Sequence, residues 1–337
     1  MSVEISPFDP VSASEADLAE QYALDTAVMA LDHPEQAPPT LAEYGVLIRR
    51  PLGPFGPIRR WVARSDGRII GHVSVTRPEH ENHHLSVVRV IVLPERRREG
   101  VGTELLRTVL PELTVQGRSV VMGSGVKADA AGEMWARQLG FVRTLAFVRQ
   151  RLTVAKVDPA LWQRPVADGF RVQTWTGAAP EELIANYANA RKAIVDAPNG
   201  DSTMDFEDWT SSRVRAHEAD LAKRGATSHV TVAVHEATGE IAGLTEIALR
   251  DDGHRCSQLD TAVLAAYRGH GLGLAIKGTT LRWLTAERPE VQEVYTQTAV
   301  DNEPMIRINL ALGYDTTAVV SELEVGVGEL VKALAVR

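Results

Sequence analysis

The fold is decided by the stretch TAVLAAYRGHGLG, residues 261–273. Apolar residues typical of a strand lead into the pattern Arg-x-x-Gly-x-Gly at 268–273, and the helix-like segment LAIKGTTLRWLTAE follows. Glycines let the backbone turn sharply and leave its N–H groups uncovered, so that these groups and the positive end of the helix can face an anion such as a pyrophosphate. The spacing is not that of the dinucleotide fingerprint, which has two residues between its second and third glycines. It is not that of a P-loop either, which continues into Gly-Lys-Ser/Thr.

The same pattern occurs earlier in the chain, as part of a longer repetition. RREGVG at residues 97–102 precedes RGHGLG at residues 268–273 by 171 positions. Three other pairs of segments keep the same order at offsets of 165, 172 and 173: LAEQYALDTAV with LIANYANARKAI, RSDGRIIG with EATGEIAG, and QLGF with ALGY. Four collinear matches predict a tandem duplication.

The boundaries of the repeats follow from where the pattern breaks. Pro159 and Pro165 interrupt it, so we expect a first domain over residues 1–155, a linker over 156–169 and a second domain over 170–337. Each repeat shows, in order, an amphipathic helix, a hairpin around a Gly-containing turn, an apolar strand, the Gly-rich loop with its helix, a short strand and a last helix. The predicted fold class is therefore α/β (α+β), with mixed, mostly antiparallel sheets flanked by helices.

The composition excludes several classes of protein. The chain has 337 residues and a formal net charge of −8, which disfavours nucleic-acid binding. No apolar run of about 18 residues and no signal peptide is present, so we expect a cytoplasmic protein that does not associate with a membrane. The single cysteine, Cys256, excludes a disulfide framework and a Cys-rich zinc module.

One short motif matches the pattern of a zinc site, but its context argues against metal binding. The sequence HENHH at residues 80–84 matches H-E-x-x-H. A zinc site of this type needs a helix, and the motif lies between Pro78 and a strand that begins at Leu85. We therefore predict a polar loop and no metal.

The order of elements and motifs resembles a known family. Together with Asn302-Glu303-Pro304 and Leu312-Gly313-Tyr314, the stretch 261–273 is similar to the GNAT superfamily of acyl-coenzyme A-dependent N-acetyltransferases. The tandem arrangement resembles the mycothiol synthase group of duplicated acetyltransferases. The resemblance covers both halves of the chain. It implies two tandem GNAT-like domains, each with a sheet that splays open beside the Gly-rich loop and holds the pantetheine arm of acetyl-CoA.

The resemblance also implies the residues that bind acetyl-CoA. In the second repeat these are Val263, Leu264, Arg268, Gly269, His270, Gly271, Leu272, Gly273 and Asn302. In the first repeat they are Val92, Arg97, Arg98, Gly100 and Gly102. The glycines and arginines would hold the pyrophosphate, and the strand backbone would pair with the pantetheine amides.

Acetyl transfer to an amine requires that nitrogen lose a proton, which makes a carboxylate near the splay the residue to look for. The second repeat has Glu246 and Asp260, whereas the aligned positions of the first repeat are Ser74 and Arg89. We therefore predict catalysis in the second repeat, with the first repeat binding coenzyme A structurally or not at all. The alternative is that these carboxylates are ion-paired and structural.

The family's usual acid for the departing thiolate is missing. Many members carry a tyrosine four residues before the glycine of Leu-Gly-Phe/Tyr. Here that place is taken by Asn309, and by Ala136 in the first repeat. An amide donates a hydrogen bond but gives up no proton. Asn309 is thus a candidate for the thioester end of the site, while water, Tyr295 or Tyr314 would supply the proton.

The predicted function is acetyl-CoA-dependent N-acetylation of a primary amine on a small cationic molecule. The alternative is a non-catalytic acyl-CoA-binding sensor or pseudoenzyme. The acidic segment 196–208 would either attract the cationic acceptor or favour the first turn of the next helix. We expect acetyl-CoA and a small amine as partners, without nucleic acid or membrane, and a monomer or homodimer.

Overall fold

A computed structural model describes residues 3–50, 52–53, 56–78, 81–115, 117–250 and 253–336; His80 of the H-E-x-x-H pattern lies outside them. Strands β1–β13 are Glu4–Pro7, Leu52–Gly53, Gly56–Ser65, Arg68–Thr76, Leu85–Val92, Val120–Lys127, Val142–Thr153, Phe170–Thr176, Ala226–His235, Ile241–Arg250, Arg255–Val263, Glu293–Ala299 and Asp315–Gly326. Helices α1–α9 are Glu15–Asp32, Leu41–Ile48, Val101–Leu113, Ala131–Arg137, Ile184–Arg191, Ser211–Lys223, Leu272–Glu287, Glu303–Ala311 and Val327–Ala335.

The chain forms two compact units. Unit 1 comprises residues 1–146, 200–205 and 318–337, and unit 2 comprises residues 147–199 and 206–317. These units do not coincide with the repeats, because the last strand of each repeat pairs within the other unit. Strand β7 pairs with β12 in unit 2, and β13 pairs with β6 in unit 1. The repeat boundaries at 155 and 170 stay a prediction about the duplication.

Unit 1 is built on a mixed sheet with the strand order β1-β3-β4-β5-β6-β13. Its pairs are antiparallel except for β5 with β6. Successive residues of a strand point to opposite faces, and on β3 the neighbours Val62 and Ala63 lie in separate apolar clusters. Val62 packs with α1 and α2 around Leu24, and Ala63 packs with α3 and α9 around Leu105. The sheet of unit 1 is therefore covered by helices on both faces.

Unit 2 repeats this architecture with the strand order β7-β12-β11-β10-β9-β8. Its parallel pair is β11 with β12. Val232 on β9 packs with α5 around Tyr187, and the next residue, Ala233, packs with α7 around Ile276. Both sheets agree with the predicted fold class of mixed, mostly antiparallel sheets flanked by helices.

In each unit the parallel pair separates before its strands end. The last pair in unit 1 joins Val88 with Gly123, four residues before the end of β5. The last pair in unit 2 joins Ser257 with Tyr295, six residues before the end of β11. Each separated strand leads directly into a Gly-rich loop, so the splay expected from the sequence is present in both units.

The described residues also bear on metals and membranes. Among them, no group of three or more His, Cys, Asp or Glu side chains is placed to hold a metal ion. Within the same residues, no helix is long and apolar enough to cross a membrane.

Equivalent glycines end the last helix of each repeat in the same way. Gly140 and Gly313, 173 residues apart, have φ values of +90° and +94°. The N–H group that follows each glycine donates to a carbonyl of the preceding helix, from Phe141 to Ala136 at 3.2 Å and from Tyr314 to Asn309 at 3.1 Å. Glycine is favoured here because other residues are strained in this left-handed region.

The surroundings of the two glycines differ, which makes them a matched pair for mutation. A Cβ atom on Gly140 would lie 3.4 Å from Val325 Cγ2, an ordinary contact, whereas on Gly313 it would lie 2.6 Å from Val157 Cγ1. We expect Gly140→Ala to cost about 1–2 kcal/mol of unfolding free energy from backbone strain alone. Gly313→Ala should cost more, about 2–5 kcal/mol, because overpacking adds to the strain. Denaturant unfolding of both variants measures the difference, and equal losses would contradict the close contact.

Candidate functional site

The Gly-rich loops of the two repeats have the same backbone conformation. Arg98 and Gly100 have φ values of +69° and +85°, and the corresponding Gly269 and Gly271 have +85° and +69°. Gly100 and Gly271 are the N-caps of α3 and α7. A Cβ atom on Gly100, Gly269 or Gly271 would meet no other atom within 4 Å. The space beside these backbones is open at the positive ends of two helices, and this fits the pyrophosphate of coenzyme A.

The arginine that begins each loop motif already has a carboxylate partner. In unit 1 the Arg97 guanidinium donates to both oxygens of Asp32 at 3.0 and 2.7 Å, and its Nε donates to the Val92 carbonyl at 3.2 Å. In unit 2 Arg268 donates one hydrogen bond to Asp196, and its Nε donates to the Val263 carbonyl at 3.1 Å. These ion pairs hold each loop in place, and the assignment of the two arginines to the pyrophosphate stays a prediction.

A cleft about the loop of unit 1 contains the predicted residues of the first repeat. Val92, Arg97, Arg98, Gly100 and Gly102 line a cavity of about 310 Å³. The Arg98 side chain has neither a hydrogen bond nor an ion pair among the described residues, and its predicted role in binding a phosphate stays a prediction. Arg98 has a strained positive φ, and the equivalent position in the second repeat is Gly269.

A second cavity of about 320 Å³ adjoins the first and fills the splay. The two cavities share Val28, Val90 and Trp135, so they form one continuous cleft, here called the unit 1 cleft. Gly123 and the residues that follow it on β6 line the splay cavity opposite β5. Trp135 went unnoticed in the sequence because a single tryptophan on a short helix has no distinguishing spacing.

A carboxylate lies at the end of this cleft away from the loop. Asp25 on α1 lines the splay cavity with a side chain that is 28% exposed. Its Oδ1 lies 2.7 Å from His72 Nε2, and its Oδ2 accepts a hydrogen bond from the Tyr44 hydroxyl at 2.6 Å. Burial raises the pKa of Asp25, but His72 and Tyr44 outweigh burial and hold that pKa below its usual value. The cleft thus ends in an ionised carboxylate.

The predicted binding residues of unit 2 have varied contacts. Val263 and Leu264 end the separated strand, and the Leu264 N–H donates to the Ala242 carbonyl at 2.9 Å. The His270 ring lies 5.5 Å from that of Phe170, centroid to centroid. Leu272 packs its side chain into the core, and a Cβ on Gly273 would lie 3.2 Å from Ile308 Cδ1. The Leu272 side chain thus belongs to the core, while the predicted roles of His270, Leu272 and Gly273 in binding acetyl-CoA stay predictions.

Asn302 also differs from expectation. Its side chain accepts a hydrogen bond from the Met305 N–H at 3.3 Å and caps α8. This explains the Asn-x-Pro motif, because asparagine is a preferred N-cap and proline suits the first helical turn.

Both candidate bases of the second repeat are bound to Arg191. The buried Arg191 guanidinium donates to Glu246 at 2.6 Å and to Asp260 at 2.8 Å, and it stacks on the Trp209 ring at 3.6 Å. Glu246 is 1% exposed and also lies 3.1 Å from His217 Nε2.

Burial raises and Arg191 lowers the pKa of both carboxyl groups, but the net shifts are opposite. Burial raises the pKa of Glu246, but Arg191 and His217 lower it further, to about 2. Burial raises the pKa of Asp260, and Arg191 offsets only part of that effect. The burial and the lowered pKa of Glu246 argue against a general base, and its catalytic role stays a prediction. Asp260, 37% exposed, keeps some access but shares the same arginine.

The polar residues behind the splay of unit 2 have no counterpart in unit 1. The equivalent pairs are Lys277 with Leu106, Asn309 with Ala136, Tyr314 with Phe141 and Gln150 with Leu323. All four apolar members line the splay cavity of unit 1. In unit 2 the buried Asn309 donates to Gln150 Oε1 at 2.8 Å, and its predicted place at the thioester stays a prediction.

Lys277 is the most unusual member of this polar set. It is 1% exposed, has no carboxylate partner among the described residues and lies with Nζ 5.5 Å from the Tyr314 ring centroid. Burial lowers the pKa of Lys277 to about 7. The inward spacing of this lysine on α7, one residue after the buried Ile276, was the sequence signal that could have revealed it.

The low pKa predicts a pH-dependent stability. Between about 7 and 10.4 the unfolded chain binds a proton that the folded chain does not, so Lys277 reduces stability increasingly as pH falls through this window and fully below it. Lys277→Met should therefore be more stable than the wild type at pH 7, by on the order of 1–5 kcal/mol, and its advantage should shrink towards pH 10. Unfolding at several pH values measures this, with the exposed Lys223→Met as a control. An advantage independent of pH would contradict the buried, neutral lysine.

Comparison with known proteins supports the same reading of both repeats. The model of the acetyltransferase (GNAT) family matches residues 26–141 and 193–314. The chain is similar to the mycothiol acetyltransferase of Clavibacter michiganensis subsp. michiganensis, with 26% identity over 78% of this chain and 79% of that protein. It is 29% identical to the mycothiol acetyltransferase of Nocardia farcinica over 41% of this chain and only 43% of that relative's length.

Solved structures cover nearly the whole chain. A tandem GNAT protein from the clavulanic acid biosynthesis pathway aligns with a TM-score of 0.78 and 26% identity, over 97% of this chain and 99% of that one. A GCN5-related N-acetyltransferase from Sphaerobacter thermophilus aligns with a TM-score of 0.72 and 15% identity over 96% of each chain, which shows the fold alone. The predicted resemblance, fold class and acetyltransferase class are confirmed at the level of the family.

Proposed function

The chain belongs to the acetyltransferase (GNAT) family, and we propose that it transfers the acetyl group of acetyl-CoA to the primary amine of a small cationic molecule in the unit 1 cleft. The observation that carries this proposal is the continuity of the cleft. It runs from the open Gly-rich loop at Gly100, along the separated strand β5, to the ionised carboxylate of Asp25. An acetyl donor with a pyrophosphate at one end and a thioester at the other matches such a cleft.

The loop and the strand edge supply the contacts that coenzyme A requires. The N–H groups at the start of α3 and the unpaired Arg98 face the place of the pyrophosphate. Beyond Val88, the edge of β5 has backbone groups that no longer pair with β6, and the amides of a pantetheine arm can bond to them as a neighbouring strand would. Trp135 and Leu106 give the cleft an apolar wall for the arm.

The transfer itself requires a neutral amine. The acceptor ammonium binds beside Asp25 and gives up one proton, which passes to water because the low pKa of Asp25 makes it an anchor rather than a base. The amine nitrogen then attacks the thioester carbon, the C–N bond forms and the C–S bond breaks. The second nitrogen proton neutralises the departing thiolate, so the products are an amide, free coenzyme A and one proton.

We place the transfer in unit 1 and not in the second repeat, where the sequence put it. Glu246 and Asn309 are held by core partners, and Asp260 shares Arg191 with Glu246. The second repeat keeps the loop geometry, so a structural coenzyme A site there belongs to the same proposal.

The alternative function, non-catalytic acyl-CoA binding, is favoured by one observation. Ala136 occupies the place of the family's acidic tyrosine in unit 1. The two functions differ in whether coenzyme A is released when amines are added to acetyl-CoA and the protein.

Paired variants of the two loops test where acetyl-CoA binds. Gly100→Glu should weaken binding by about 100-fold or more, because a carboxylate would occupy the phosphate position. Gly271→Glu makes the same change in the second repeat and should leave the unit 1 site intact. Titration calorimetry measures affinity and stoichiometry for each variant.

The strain of a side chain at positive φ needs its own control. Gly67, at φ +78° in the β3–β4 turn, and Gly239, at φ +73°, also have no atom within 4 Å of a Cβ. Gly67→Glu and Gly239→Glu should bind acetyl-CoA normally. If Gly271→Glu abolished acetyl-CoA binding and Gly100→Glu did not, the acetyl-CoA site would lie in the second repeat and the proposal would be wrong.

A further inference from the structure

Two opposite charges face the splay cavity of unit 1 without pairing. Asp25 on α1 and Arg89 on β5 both line it. Asp25 is bound by His72 and Tyr44, whereas Arg89 makes no hydrogen bond or ion pair with any residue that the structure describes. Arg89 and Asp25 do not pair with each other, so together they can bind a ligand that carries both a negative and a positive charge.

The strand register places the two charges close together. On β4 and β5, Ser74 is opposite Arg89 and His72 is opposite Ile91. Arg89 is thus the diagonal neighbour of His72 on the same face, at about 7–8 Å. Because Asp25 is bonded to His72, a small molecule is long enough to contact both the Asp25 carboxylate and the Arg89 guanidinium.

The second repeat provides an internal contrast. There the strand position of Arg89 is taken by Asp260, and the helix contributes Arg191. These two groups do pair, at 2.8 Å, and Glu246 completes the cluster at 2.6 Å. The second repeat therefore uses its charges internally, while the first repeat leaves them available.

We propose that the acceptor amine is a zwitterion of the amino acid class, with its ammonium held by Asp25 and its carboxylate held by Arg89. The proposal rests on the proposed function and revises its acceptor from a cationic molecule to one that carries both an ammonium and a carboxylate. Arginine suits the second role because its planar guanidinium binds a carboxylate through two parallel hydrogen bonds. Asp25 suits the first because its two oxygens are already oriented and ionised.

Lys127 is the other cation of the cavity without a partner among the described residues. It lies at the end of β6, across the splay from β5. Because it lies on the opposite strand from Arg89 in the same cavity, Lys127 serves as the control for a loss of positive charge.

Matched amines test the substrate class. Lysine, lysine methyl ester and cadaverine, and phenylalanine, its methyl ester and phenethylamine, differ within each set only at the carboxylate. Coenzyme A release with saturating acetyl-CoA gives kcat/KM for each. The wild type should prefer an amino acid to its ester and its decarboxylated amine by about 10- to 100-fold. Arg89→Gln should abolish this preference by raising KM for the amino acid, Arg89→Lys should restore part of it, and Lys127→Gln should leave it unchanged.

The outcomes separate this inference from the proposed function. If amines without a carboxylate are acetylated as well as the amino acids, or if the preference survives in Arg89→Gln, the zwitterion assignment is wrong and the acetyltransferase proposal stands. If the wild type acetylates no amine although calorimetry shows acetyl-CoA bound, both proposals fail. A normal acetyl-CoA affinity in Arg89→Gln confirms that any loss concerns the acceptor.

Discussion

The unit 1 cleft depends on a parallel strand pair that stops early. After Val88 and Gly123 the facing edges of β5 and β6 carry backbone N–H and C=O groups without ladder partners. Such groups are costly to bury unless something bonds to them. Here they line a cavity, and an extended ligand with amide groups can satisfy them. The same separation lets β5 end beside the N-terminus of α3, so amide recognition and anion recognition follow one another along a single strand.

The second requirement is a fixed loop, and each unit meets it with an ion pair. Arg97 joins the loop to Asp32 at the end of α1. Both side chains are partly exposed, at 25% and 30%, so the pair contributes little to the free energy of unfolding. Its two parallel hydrogen bonds instead define direction, which matters for a loop whose backbone N–H groups must converge on one anion. The arginine of the motif is thus needed by the protein even before coenzyme A binds.

Much of this arrangement could be predicted because it is local. The glycines of the loops, the hairpin turns and the Leu-Gly helix ends each require a particular backbone, and the duplication shows each requirement twice. The partner of Arg97 could not be predicted, because Asp32 lies 65 residues away. The enclosure of Glu246 could not be predicted for a related reason: its position on a strand suggested access to the splay, and only packing reveals that Arg191 and His217 enclose it. The exchange of last strands was also hidden, since the partners of β7 and β13 lie far away in the sequence.

The two repeats differ in where their polar groups lie, both in the wall behind the splay and at the charged end of the site. In unit 1 the wall behind the splay is apolar at Leu106 and Ala136, and Asp25 and Arg89 line the cavity without an ion pair between them. In unit 2 the wall is polar at Lys277 and Asn309, and the acceptor-end charges are closed on Arg191. A buried lysine without a counterion is destabilising, and so is each buried polar atom left without a partner. Such destabilising groups are retained only where the rest of the packing provides enough stability to offset them. A wall of this kind also suits the methyl group of an acetyl thioester poorly, whereas the apolar wall of unit 1 suits it well. The chemistry of the acyl group and the chemistry of the acceptor therefore favour the same repeat.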